Sequence, residues 1–324
     1  MRSKDRRDPR KSERTPSRVI YFKNVMSSKI QPAHLLRNVF GSAPSNITQE
    51  PFDANVKHLR RLARLRPGEK ADVRDLWEYT QDLLYTDIQG PLFTYLLPFC
   101  LEAWREDLRG TSNEYGGFIE QFYPVLANRQ VFDRFLTRTQ SAAVSDFMRG
   151  SILDEIDDQR GLAYSGSAVR PYRWITALTT HGVLFPDISI LWNEWWSITT
   201  VGRAVAAVQY LSCLMYEENE NPIFSPWTPD RGGGPPSLWE FAGHLYTNRW
   251  LEPNVSFLKG ALSAREVGDV LRRAVEHLID QPEHAKAAEV LGDLPLCEET
   301  LTARCVALPR LLGTPQEPGK LFEW

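Results

Sequence analysis

Across most of the span from Pro51 to Leu308, apolar residues return every three or four positions, a spacing that places them on one face of a helix. The clearest case is Ser263-Ala-Arg-Glu266, a capping-box pattern. It opens onto Val267, Val270, Leu271, Ala274, Leu278 and Ile279 before Pro282 stops the run. From Ala71 to Tyr85 the stripe is Val73, Leu76, Trp77, Leu83 and Leu84, with Arg74, Asp75, Glu78, Gln81 and Asp82 expected opposite. Pro51 is expected to open an earlier helix that buries Phe52, Val56, Leu59 and Ala63 and turns Lys57, Arg60, Arg61 and Arg64 outward. Leu92–Trp104 is apolar nearly all round, as a central helix would be, with Pro98 marking a kink or a start. The same patterning continues through 131–136, 141–156, 188–196, 200–216, 284–291 and 297–308.

An all-α fold follows, either a single large helical domain or two closely packed halves, 19–160 and 161–324. At most a small β element is expected near residues 19–25, where β-branched and aromatic residues cluster. The small, polar stretch 160–170 marks the expected boundary. Residues 221–239 hold five prolines and three glycines and read as a long irregular loop, a type that is usually functional or disordered.

Charge is unevenly placed. Residues 1–18 carry eight basic and three acidic side chains, a net +5, which leaves −8 on the rest against −3 overall. Such an arm lacks the apolar residues to fold alone, and it is a possible contact for nucleic acid or an acidic surface. The acidic body disfavours nucleic acid as the main ligand, because phosphate neutralisation needs clustered Lys and Arg. No stretch has the features of a secretory signal or a membrane span. Cys100, Cys213, Cys297 and Cys305 are scattered, match no zinc spacing, and read as reduced thiols of a cytoplasmic protein.

Motifs that carry chemistry are few. The six histidines stand far apart, none in a His-Glu-x-x-His pairing; His181 is the one expected to be enclosed. Asp154 and Asp158 share a helical face and, with His181, form the one acidic and histidine combination suited to a metal-assisted site. A solvated helix end explains those carboxylates as well, and no cofactor is expected. Gly232-Gly233-Gly234 runs into Pro235-Pro236 rather than the Gly-Lys-Ser/Thr of a phosphate loop. Trp192, Trp195 and Trp196 fall on one helical side, as core residues would. There is no Gly-x-Ser-x-Gly elbow and no Rossmann glycine pattern.

Leu76-Trp-Glu-Tyr, Tyr95-Leu-Leu-Pro-Phe-Cys-Leu-Glu-Ala-Trp104 and the 221–239 stretch resemble uncharacterised helical bacterial proteins. Some of those look like immunity or accessory proteins of antibacterial toxin systems. The resemblance implies binding and supplies no catalytic residue. The leading expectation is a non-enzymatic protein-interaction module for a basic partner. Its surface is expected around Trp227, Asp230, Arg231 and Trp239, with an acidic patch at Glu217, Glu218 and Glu220. The alternatives are an enzyme built on Asp154, Asp158 and His181, and nucleic-acid binding through the basic arm.

Overall fold

The structure is a computed structural model that describes residues 36, 39–66, 69–110, 118–128, 130–162, 169–216, 220–223 and 249–314. Every regular element among them is helical, and the fold is all-α. In chain order these are α1 (Lys57–Leu62), α2 (Val73–Tyr85), α3 (Gly90–Leu108), α4 (Phe118–Asn128), α5 (Val131–Phe135), α6 (Arg138–Asp157) and α7 (Val169–Leu184). They are followed by α8 (Ile188–Trp196), α9 (Val201–Met215), α10 (Glu252–Ala261), α11 (Ala264–His277), α12 (His284–Asp293) and α13 (Glu298–Leu312). The strand candidate at 19–25 and the arm 1–18 lie outside the described residues, as does 224–248 of the long loop.

Among the described residues, four helix starts carry side-chain caps. Asp72, Thr200 and Ser263 each accept a backbone N–H in the first turn of α2, α9 and α11, which satisfies one of the donors a helix start leaves open. A full reciprocal capping box stands at Thr137 and Gln140, opening α6. At Ser263 only the serine half of the pattern is made. α3 runs through Pro98 instead of starting there.

Two helices act as hubs. α3 packs on α2, α4, α5, α6 and α7, and its residues from Leu92 to Phe99 are buried except Thr94. α9 is buried at every position from Gly202 to Met215 and packs on α6, α7, α8, α11, α12 and α13. The buried apolar side chains form one cluster that extends from Leu36 to Leu312. Trp192, Trp195 and Trp196 join it beside Trp174 and Tyr210, with ring centroids of neighbouring pairs 5.0–6.3 Å apart. Among the described residues no single helix is long and apolar enough to cross a membrane. The bent apolar pair α8–α9 owes its composition to its place in this core.

Two sequence expectations change near α1. The helix begins at Lys57, six residues after Pro51, because Ala54 takes a left-handed φ of 63° and two Asx turns follow it. In those turns Asp53 Oδ1 accepts from Asn55 N and Asn55 Oδ1 accepts from Lys57 N. Phe52 is therefore not on a buried stripe but 56% exposed. On α2, Asp75 and Asp82 are buried rather than outward, since α1 lies over them and supplies Arg61 and His58 as partners.

Candidate interaction site

The residues expected to carry function are placed as follows. Glu217, Glu218, Trp227, Asp230, Arg231 and Trp239 lie outside the described residues. Glu220 is exposed, just before a tightly held Asn221-Pro-Ile223 turn in which Asn221 bonds Ser212 Oγ and the Ile223 N–H. Asp154 pairs with Arg109 at 3.2 Å, while Asp158 is exposed at the C-cap of α6. Burial pushes the Asp154 carboxyl up, with Asp157 and Asp158 adding to this against the pull of Arg109, and its pKa reaches about 6.

His181 is fully buried, as expected, but its Nε2 meets Asp187 Oδ1 at 2.8 Å. Burial raises the Asp187 carboxyl, and the hydrogen bonds from His181 and Ser145 with the charge of Arg149 outweigh this and hold it at about 2. The serine bonds the aspartate and not the histidine, so the nucleophile–base contact of a Ser-His-Asp triad is not made. Among the described residues no three His, Cys, Asp or Glu side chains are grouped to hold a metal ion.

A different surface is built with more care. Gln49 and Gln89 clasp one another, each side-chain oxygen accepting the other's backbone N–H, at 2.9 and 3.1 Å. Gln49 Nε2 also donates to Thr86 Oγ1 and to the Asp87 carbonyl, both at 2.8 Å, and Gln89 Nε2 donates to the Asn46 carbonyl. The clasp fixes residues 46–50 against the corner between α2 and α3. One step on, the Phe52 N–H donates to Asp82 Oδ1 at 2.8 Å, and Asp82 Oδ2 sits 2.6 Å from His58 Nε2. The other face of that imidazole has Glu78 Oε2 at 3.3 Å from Nδ1, an ion-pair distance without hydrogen-bond alignment.

This scaffold presents two aromatic rings to solvent. Phe52 and Tyr85 lie with centroids 4.5 Å apart at 31°, and Tyr85 is 65% exposed. The exposed carboxylates Glu50, Asp53 and Asp87 belong to the same short segments. A ring face is electron-rich, so paired rings with nearby carboxylates are suited to a guanidinium or ammonium group. Sequence reading missed this site because Phe52 was assigned to a buried stripe; the Asp53-Ala-Asn55 turn was the available signal against it.

His58 makes the scaffold sensitive to pH. Burial lowers its pKa, but the Asp82 hydrogen bond and the charges of Asp82, Glu78 and Asp53 outweigh this and raise it above the usual value. A raised histidine pKa contributes stability that is complete below the unfolded value of about 6.5 and is lost as pH rises through the folded value. Urea unfolding of the wild type is expected to show this loss on going from pH 5.5 to 8.5, and His58→Gln to flatten it. Equal pH slopes for the two proteins would contradict the assignment.

Two openings lie elsewhere. A groove of about 570 Å³ runs between α10 and α13, past Val306, Lys259 and Arg310, and a cleft of about 210 Å³ is lined in part by the Lys70–Glu106 pair. Neither has a cluster of buried polar groups aimed into it. Comparison with protein-family models, curated proteins and solved structures finds no match for this chain.

Proposed function

We propose that the protein is a non-enzymatic interaction module whose exposed Phe52–Tyr85 pair, beside Glu50, Asp53 and Asp87, receives an arginine or lysine side chain of a basic protein partner. The observation that carries this reading is the pair itself: two large rings, each more than half exposed, held in contact by a scaffold of part-buried hydrogen bonds. Rings left in water in this way lose burial energy that a partner restores. The net charge of −8 beyond residue 18 favours approach of a basic partner, chiefly through the rate of encounter. In its specific form the reading is a cytoplasmic immunity or accessory protein that neutralises a basic toxin.

Calorimetric titration with a short arginine peptide, Gly-Arg-Gly-Gly-Gly-Gly, tests it. Phe52→Ala and Tyr85→Ala are each expected to weaken binding about two- to thirtyfold, the range of a cation–π contact worth about 0.5–2 kcal/mol. Replacing arginine by citrulline in the peptide is expected to abolish the heat. Binding that is unchanged in both ring variants would overturn the proposal.

A further inference from the structure

The solvent face of α1 adds a second charge feature next to the ring pair. Lys57, Arg60, Arg61 and Arg64 are all exposed, and their spacing of three and four places them on one face of the helix and the turn that follows. His58, Leu59 and Leu62 occupy the opposite, buried face. Arg61 is committed to the buried Asp75 through Nε at 2.6 Å and through Nη2. Lys57, Arg60 and Arg64 have no ion pair among the described residues. Like charges at this spacing repel and destabilise a helix, and α1 is only six residues long. Arg60 and Arg61 stand in the last turn of α1, where cations suit the helix dipole, and Arg61 also holds Asp75; Lys57, in the first turn, gains nothing from that dipole.

The strip and the ring pair are joined by one hydrogen-bonded step. Asp82 holds the Phe52 N–H with one oxygen and His58, the neighbour of Lys57, with the other. Around this link the chain exposes Glu50, Phe52, Asp53, Tyr85 and Asp87, and the exposed basic side chains of α1 begin five residues after Phe52, at Lys57. From Lys57 to Arg64 the helical rise covers about 10 Å, which three or four extended residues span.

Resting on the reading above, we infer that the partner segment carries both charges: an arginine or lysine seated on Phe52 and Tyr85, followed by a run of three or four acidic residues lying along Lys57, Arg60 and Arg64. A continuous polyanion such as nucleic acid fits less well, because Glu50, Asp53 and Asp87 would repel it where the rings stand. A purely basic segment would meet the same repulsion along α1.

The test uses the full chain and four peptides: Gly-Arg-Gly-Gly-Gly-Gly, Gly-Arg-Gly-Glu-Glu-Glu-Glu, the reversed sequence Glu-Glu-Glu-Glu-Gly-Arg-Gly, and Gly-Ser-Gly-Glu-Glu-Glu-Glu. One of the two mixed-charge peptides is expected to bind about tenfold tighter than the arginine-only peptide, a gain in the range of several exposed ion pairs. That gain is expected to vanish in the Arg60→Glu, Arg64→Glu double variant and at 0.5 M salt, while arginine-only binding persists in the variant. If the arginine-only peptide binds and neither mixed peptide improves on it, the inference fails and the single-cation reading stands. If the arginine-only peptide does not bind at all, the reading itself fails and takes the inference with it. A serine–glutamate peptide as tight as the mixed ones, or a 12-nucleotide single strand that binds tighter than any peptide in Phe52→Ala, also overturns the inference.

Discussion

Gly202→Ala is expected to destabilise the protein by about 3 kcal/mol or more, and to do so through backbone rather than side-chain conflict. A Cβ at this position would stand 2.0 Å from the Asp157 carbonyl oxygen, 2.3 Å from its carbon and 2.6 Å from the Ile156 oxygen. Those atoms belong to the last turn of α6 and have no rotamer by which to give way. To reach even a tight contact, α9 would have to retreat roughly 1 Å, and α9 is buried from Gly202 to Met215. The retreat would also pull on a set of hydrogen bonds centred on Arg203. That guanidinium donates to Asp157 Oδ1 from Nε at 2.8 Å and to the Glu194 carbonyl from Nη1 at 2.7 Å, and the Thr200 hydroxyl meets Asp157 Oδ1 at 2.6 Å. Gly260 in α10 provides the control, for nothing lies within 4 Å of its notional Cβ. There the change to alanine is expected to stabilise by about 0.5–1 kcal/mol, the helix-propensity gain alone. Urea midpoints of the two variants against wild type decide the matter, and a Gly202→Ala protein within 1 kcal/mol of wild type would contradict the packing described.

Asn254→Asp is the second large effect, expected at about 3–5 kcal/mol for a nearly isosteric change. The Asn254 side chain is buried at the start of α10 and makes three hydrogen bonds across a helix–helix corner. Nδ2 donates to the Gly182 carbonyl at 2.8 Å and the Phe185 carbonyl at 2.6 Å, which close the C-terminal end of α7, and Oδ1 accepts from the Ile188 N–H that opens α8. An aspartate would turn a carboxylate oxygen on two carbonyls, taking the donor from Phe185 and leaving Gly182 only the Leu251 N–H. Leucine at the same position, which leaves the Phe185 carbonyl and the Ile188 N–H unpaired, is expected to cost a similar amount. The readout is again the urea midpoint, with retained helical circular dichroism showing that each variant still folds. An aspartate variant as stable as wild type would show that water replaces these contacts.

The helical class was legible because apolar stripes recur at helical spacing in α2 and α11, and because Ser263 stands where a cap belongs. The tryptophans of α8 were legible for the same reason: three aromatic rings on one side of nine residues need a core. What escaped was every feature decided by a partner distant in sequence. Asp75 and Asp82 look like solvent-facing residues of α2, and only the placement of Arg61 and His58 from α1 makes their burial tolerable. Gly202 and Asn254 sit in ordinary local sequence, while their roles depend on α6 and α7. The candidate site is the extreme case. Phe52 and Tyr85 are thirty-three positions apart, and the glutamine clasp that brings their segments together joins residues forty apart. His181 was read as enclosed and is, yet its carboxylate partner is Asp187 in the α7–α8 connection rather than Asp154 or Asp158.

The most direct test of the account is an aromatic carbon–proton NMR spectrum of the full chain during titration with Gly-Arg-Gly-Gly-Gly-Gly. The exposed rings of Phe52 and Tyr85 are expected to move first and saturate together, while buried rings such as Phe93 and Phe122 stay in place. Shifts confined to other residues, for example those lining the groove between α10 and α13, with Phe52 and Tyr85 unmoved, would contradict the claim that this pair is where a basic partner binds.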